Sequence, residues 1–150
     1  MKIRQVMYKK IYTISQEKTL RQAMALMIKK QASGLVVIDS QDKLLGIISE
    51  KDIYKSFYPS YNDFYESPTI FTDYEAQEKD IKYKLDKTVG EIMTKDVISV
   101  SPDDYVMKVG AIMMAKNIHR IPVVLDDKLI GVVTRGCIYK TLFKKYLKLK

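Results

Sequence analysis

The feature that most constrains this chain is that it repeats itself. Displaced by 86 residues, Ile3-x-x-Val6-Met7 falls on Val89-x-x-Ile92-Met93, and Ile11-Tyr12-Thr13-Ile14-Ser15 falls on Val97-Ile98-Ser99-Val100-Ser101. Leu20, Ala23, Leu26 and Met27 fall on Val106, Val109, Ile112 and Met113, and Val37-Ile38 on Val123-Val124. One deletion before Lys128 moves the offset to 85, after which Lys43 to Ser49 matches Lys128 to Thr134 and Ile53-Tyr54-Lys55 matches Ile138-Tyr139-Lys140. The 150 residues therefore divide into a first repeat (1–56), a connector (57–88) and a second repeat (89–150).

Both copies predict the same order of elements, β-α-β-β-α. A short extended segment (11–15 or 97–101) leads to a turn, Ser15 to Lys18 or Ser101 to Asp104. In the second copy that turn puts Ser101 at an N-cap and Pro102 at the first helical position. Apolar residues then recur at helical spacing, Leu20, Ala23, Met24 and Met27 or Val106, Val109, Ile112 and Met113. Two apolar runs follow, 35–38 with 44–48 and 121–125 with 129–133, each of the length and β-branching of a buried strand. A second helix starts near Ser49 or Thr134. Strands that bury one face under two helices form an α/β layer, and two such layers can share one core.

Composition narrows the function. One cysteine, Cys137, excludes a disulfide framework, and with one histidine, His119, leaves little for a His/Cys metal centre. No apolar run approaches the ~20 residues of a bilayer span, and the N-terminus has no signal-peptide core, so a cytoplasmic protein is expected, with no membrane as partner. No P-loop, dinucleotide fingerprint, nucleophile–base arrangement or paired carboxylates stand out, so no enzyme is expected. The net charge of +8 divides into +6 over 1–56, −3 over 57–88 and +5 over 89–150. The acidic connector holds Pro59 and Pro68 and five tyrosines, Tyr58, Tyr61, Tyr65, Tyr74 and Tyr83. It predicts a short helix from Tyr74 to Leu85, with aromatics packed on the repeats or on another subunit.

The lead-in motifs, the segment Asn117-Ile118-His119-Arg120-Ile121-Pro122-Val123-Val124 and the two Gly-apolar-apolar-Ser/Thr elements together resemble a tandem pair of CBS domains, over about 3–56 and 89–145. The resemblance implies a pseudo-twofold module with two clefts between the repeats, a disk-like homodimer, and a sensor rather than an enzyme. The implied ligand contains adenosine: AMP, ADP, ATP, S-adenosylmethionine or a cyclic adenine dinucleotide, bound as effector and not as cofactor.

In Gly46-Ile47-Ile48-Ser49-Glu50-Lys51-Asp52, the glycine allows close approach of another backbone or a ligand. Ser49 and Asp52 fall on one side of a first helical turn. On pattern alone they read first as a serine N-cap with a dipole-favouring aspartate at N3. The resemblance implies that they hold a ribose, whose vicinal hydroxyls a carboxylate can accept. The second copy has Thr134 and Cys137 at these positions, and a thiol is a poor acceptor. His119 and Arg120 stand at the mouth of a strand. In isolation they read as a solvated loop end, and within the resemblance as phosphate donors. The first copy has Ser33-Gly34 there. The resemblance sets the carboxylate of one repeat across a cleft from the His-Arg of the other. One competent site is therefore expected, from Ser49, Asp52, His119 and Arg120, with adenine against Ile47, Thr94, Ile98 and Ser99. The second site, at Thr134 and Cys137, is weakened.

The C-terminal helix carries Leu142, Phe143, Tyr146 and Leu149 at helical spacing among five lysines. It is expected to pack on the module or on a second copy, its cations favoured near the helix C-terminus. The rival reading is a basic surface for nucleic acid or an anionic membrane. A third reading, an adaptor that passes a nucleotide signal to an unidentified effector protein, is compatible with the first.

Overall fold

The computed structural model describes residues 1–58, 61–66 and 73–149. They form two compact units whose division is not that of the sequence repeats. Tyr12–Asp39 with Leu45–Lys95 make the repeat-one unit; Met1–Ile11, Ser40–Leu44 and Asp96–Lys150 make the repeat-two unit.

The repeat-one unit runs β1 (Thr13–Ile14), α1 (Leu20–Lys30), β2 (Gly34–Ile38), β3 (Leu44–Ser49), α2 (Glu50–Lys55), α3 (Tyr61–Glu66), α4 (Tyr74–Lys84) and α5 (Val89–Ile92). Its sheet has the order β1-β2-β3, with β1 parallel to β2 and Thr13 opposite Val36. Thr19 starts α1 with a capping box: its Oγ1 accepts from the Gln22 N–H at 3.2 Å, and Gln22 Oε1 accepts from the Thr19 N–H at 3.0 Å. Leu20, Ala23 and Met27 face inward and are buried with Leu35, Val37, Ile48 and Ile53. Val89, from the lead-in of the second repeat, completes this core and is fully buried.

The repeat-two unit contains a 3-10 turn (Ile3–Gln5), α6 (Val106–Ala115), β4 (Arg120–Leu125), β5 (Lys128–Thr134) and α7 (Arg135–Tyr146). β4 and β5 are antiparallel, with Arg120 opposite Thr134 and a bulge between Val123 and Val124. Val106, Val109, Met113, Ile121, Val123, Val133 and Ile138 are buried around Ile3, which comes from the lead-in of the first repeat.

Each lead-in thus docks on the other repeat, with matching hydrogen bonds. The Val89 N–H donates to the Lys18 carbonyl at 2.7 Å and the Leu20 N–H to the Lys87 carbonyl at 2.8 Å. At the equivalent place, the Ile3 N–H donates to the Asp104 carbonyl at 3.0 Å and the Val106 N–H to the Met1 carbonyl at 3.1 Å. These bonds satisfy amides that a helix start leaves without an intrahelical acceptor. The result is two cores rather than one shared core.

Three expectations are corrected. Ser101 does not cap α6, which starts after Tyr105. Its hydroxyl accepts from the Asp103 N–H at 3.2 Å and its N–H donates to Asp104 Oδ2 at 2.9 Å, closing a turn on itself. Ser15 likewise closes a turn onto Glu17 and leaves the cap to Thr19. The segment 97–101 forms no strand; only Val100 bridges β4, at Val123. Of the connector tyrosines, Tyr58, Tyr65, Tyr74 and Tyr83 are exposed, with the Tyr58 ring 4.9 Å from that of Tyr54. The connector helix itself follows the expected span, with Leu85 as its C-cap. Pro59 and Pro68 lie outside the described residues, as does the side chain of Tyr61.

Candidate functional site

The proposed ligand residues fall into two sets, one on each unit. On the repeat-one unit, β3 delivers Ser49 to the N-cap of α2. Ser49 Oγ accepts from the Asp52 N–H at 3.1 Å, and Asp52 Oδ2 accepts from the Ser49 N–H at 2.9 Å. The structural role read from pattern is therefore real, and it consumes one carboxylate oxygen. Among the described residues Asp52 Oδ1 has no hydrogen-bond partner. Asp52 is half-buried, so the cap fixes the rotamer of a carboxylate that still presents an acceptor.

Beside it, Ile47 exchanges two hydrogen bonds with Thr94, at 3.0 and 2.9 Å. This pairing explains Gly46: a Cβ there would stand 2.6 Å from the Thr94 carbonyl oxygen and 2.9 Å from Met93 Sδ. The close approach foreseen at Gly46 is thus to backbone, and it holds Thr94 exposed next to the half-buried Ile47.

On the repeat-two unit, His119 and Arg120 open β4, His119 exposed and Arg120 half-buried. The His119 carbonyl accepts from the Arg135 N–H at 2.9 Å, tying the strand mouth to the first turn of α7. Thr134 caps that helix through Oγ1, which accepts from the Cys137 N–H at 3.1 Å. Where Asp52 offers a carboxylate, Cys137 offers sulfur: Sγ accepts weakly from the Thr134 N–H at 3.2 Å and donates to the Thr134 carbonyl at 3.1 Å. The thiol is buried, and it keeps the form of the cap while supplying no ribose acceptor. Ile98 and Ser99 are exposed on this unit.

The two helix starts differ in charge. The first turn of α2 carries Glu50 and Asp52, whereas that of α7 carries Arg135 and no acid. The guanidinium of Arg135 donates to the carbonyls of Ile118 and Met113 at 3.1 and 3.3 Å, closing the end of α6 just before His119. Sequence reasoning missed this residue, because nothing in the repeat predicts that a side chain from α7 returns to α6. It also missed Tyr8. Tyr8 exchanges hydrogen bonds of 2.9 and 3.0 Å with Val132, as Thr94 does with Ile47. The offset of 86 already set Tyr8 on Thr94.

Among the described residues no helix is long and apolar enough to cross a membrane, and no group of three or more His, Cys, Asp or Glu could hold a metal ion.

The CBS domain family matches the chain twice, over residues 3–58 and 89–144. An uncharacterised protein of Methanocaldococcus jannaschii is 35% identical over 155 residues, covering 95% of this chain and 91% of that one. The inosine-5'-monophosphate dehydrogenase of the same organism is 31% identical, but this chain spans only 22% of that enzyme's length. In structure, the CBS domain pair of protein MJ0100, solved with 5'-methylthioadenosine and S-adenosyl-L-methionine, superposes with a TM-score of 0.73 at 28% identity, covering 97% of this chain and 98% of that one. The chain belongs to the CBS domain family, as a tandem pair of CBS domains.

Proposed function

We propose that the chain is a regulatory module, not an enzyme, that binds one adenosine-containing ligand through Ser49 and Asp52 of one repeat and His119 and Arg120 of the other. The observation that carries the reading is the fixed Asp52 carboxylate, with Oδ2 held in the cap and Oδ1 left as an acceptor for ribose hydroxyls. The chemistry of the two sets is complementary. One supplies a carboxylate, and the other supplies a guanidinium and an imidazole suited to phosphate. Membership of the CBS family and likeness to a domain pair solved with two adenosyl compounds support the ligand class. AMP, ADP, ATP, S-adenosylmethionine and a cyclic adenine dinucleotide all satisfy the adenosine requirement, and those with phosphate also use His119 and Arg120. Ile47, Thr94, Ile98 and Ser99 are the proposed adenine contacts.

Bound ligand would bias a partner: a second copy of the chain or an effector protein. Calorimetric titration of the whole chain with these five compounds, and with GTP and CTP as controls, tests the ligand class. Heat of binding from at least one adenosyl compound and none from GTP or CTP supports it. Equal binding of all nucleotides, or of none, removes it.

A further inference from the structure

Arg135 occupies a place that its own helix does not favour. It is the first residue of α7, where the helix dipole favours an acid, and that first turn holds no carboxylate to offset it. Its Nε is buried without a hydrogen-bond partner among the described residues, a further cost of the placement. The guanidinium turns away from α7 to the end of α6, where Nη2 donates to the carbonyls of Met113 and Ile118 at 3.3 and 3.1 Å. There the cation meets the carbonyl end of a helix, which the dipole does favour.

The other repeat shows that the backbone does not need these bonds. α1 and α6 end alike: the N–H groups of Gln31 and Ala32 donate to the carbonyls of Ile28 and Met27 at 3.2 and 2.9 Å, and those of Asn117 and Ile118 to Met114 and Met113 at 3.3 and 3.0 Å. Gln31 and Asn117 both have a φ of 52°, the left-handed turn of a common helix ending. The next helix is tied on alike as well. The Glu50 N–H donates to the Ser33 carbonyl at 3.0 Å, and the Arg135 N–H to the His119 carbonyl at 2.9 Å. Repeat one makes all of these bonds with Glu50, whose ionised side chain has nothing to donate, at the place of Arg135. The guanidinium bonds are thus added only in the repeat whose strand mouth carries His119 and Arg120.

We infer that Arg135 is a positioning residue for His119. The two peptide groups that flank the His119 Cα are both held by Arg135: the Ile118 carbonyl by its guanidinium, the His119 carbonyl by its backbone N–H. Each peptide is planar, so holding both planes fixes φ and ψ between them, and with them the direction in which the His119 side chain leaves the strand mouth. His119 is exposed, so the backbone rather than packing sets that direction. A donor set in advance meets phosphate without the cost of ordering its loop. The inference deepens the reading above and rests on it only in taking His119 as a phosphate donor.

His119 is the single histidine, so its ring protons give an NMR signal that reports on this place alone. Tripolyphosphate is the probe, because it carries phosphate and no adenosine. In the full chain it should move that signal to saturation, and Arg135→Met should weaken the apparent affinity about three- to tenfold, the cost of ordering the donor anew. Calorimetry with tripolyphosphate on His119→Ala and on the double variant gives the coupling. Arg135→Met should cost nothing further once the imidazole is gone, a result that a merely structural or through-space effect of the arginine would not produce. Thermal unfolding of each variant confirms that the fold persists, and Arg135→Gln, with the same expected loss, replaces the methionine variant if that one melts too early. A wild-type signal that tripolyphosphate leaves unmoved, full affinity in the Arg135 variant, or an equal loss with and without His119 overturns the inference. Titration with AMP separates the two readings. AMP binding together with unchanged tripolyphosphate affinity in the Arg135 variant sinks the role of Arg135 and leaves the ligand class standing. No AMP binding, with the expected tripolyphosphate results, sinks the ligand class and leaves Arg135 its role.

Discussion

Ser49 and Asp52 hold each other: each side chain accepts a hydrogen bond from the other's backbone amide, at 3.1 and 2.9 Å. The same two residues that fix the start of α2 are those proposed to meet the ribose, so folding and binding share one carboxylate. The two roles separate by substitution. Asp52→Ala leaves Ser49 Oγ capping the amide of residue 52 but removes the acceptor of the Ser49 N–H and the acceptor offered to ribose; it should cost about 1 kcal/mol of stability and about 10- to 100-fold in ligand affinity, as for a hydrogen bond to a charged group. Asp52→Cys installs the arrangement found at Cys137. It should preserve more of the melting temperature than alanine does while losing ligand equally. Thermal melts and titrations on both variants check this.

The thiol cap of the second repeat carries a prediction about stoichiometry. Cys137→Asp restores the carboxylate but leaves Ser33 and Gly34 where the other repeat has His119 and Arg120. The variant should still bind one phosphate-bearing ligand per chain. A second equivalent of equal affinity, seen by calorimetry, would contradict the assignment of phosphate contacts to His119 and Arg120.

Gly46 and Gly131 occupy equivalent strands but should differ in tolerance. An alanine Cβ at 46 meets the Thr94 carbonyl at 2.6 Å, a backbone atom that cannot swing aside. At 131 it meets Met7 Sδ at 2.8 Å, the far end of a flexible side chain, and the Tyr8 carbonyl only at 3.1 Å. Gly46→Ala should destabilise by about 1–3 kcal/mol, the usual cost of overpacking, and Gly131→Ala by less. Chemical denaturation of the two variants gives the comparison.

Two carboxylates that brace the lead-in contacts set an acid limit. Asp104 is held below its ordinary range chiefly by the ammonium of Lys108 and then by the Ser101 amide; Glu91 is lowered chiefly by the Thr88 amide. Because both are depressed in the folded state, their stabilisation is present above the ordinary carboxylate pKa and is lost as pH falls through the lowered values. Melting temperature should decline on acidification through that range. Asp104→Asn and Glu91→Gln should reduce stability slightly at neutral pH and flatten the acid limb. An unchanged acid limb in the double variant would refute this.

Much of this architecture was legible because the repeat doubles every signal. Apolar spacing located α1 and α6 in register, and Gly-apolar-apolar-Ser/Thr located β3 with α2 and β5 with α7. Two things were not legible. The first was the start of each first helix: Ser101-Pro102 has the composition of a cap, but its amide and hydroxyl close a local turn, and the helix waits for the docked lead-in at Met1 to take its free amide. The second was the exchange of lead-ins, a long-range backbone pairing that no local pattern encodes. At the site, sequence located Ser49 with Asp52 and Thr134 with Cys137, and the structure joined each pair by a cap. The C-terminal stripe was visible as a pattern, but within the chain only Leu142 of it packs on the repeat-two core, while Phe143, Tyr146 and Leu149 remain exposed. Periodicity reports that residues share a face, not what covers it.

The most direct test of the central claim is the stoichiometry and affinity of an adenine nucleotide on the full chain and on Asp52→Ala and Arg120→Ala. The account predicts one ligand per chain for the wild type, and at least about a tenfold loss of affinity in each variant. Unchanged affinity in both variants, or two equivalent ligands per chain, would contradict it.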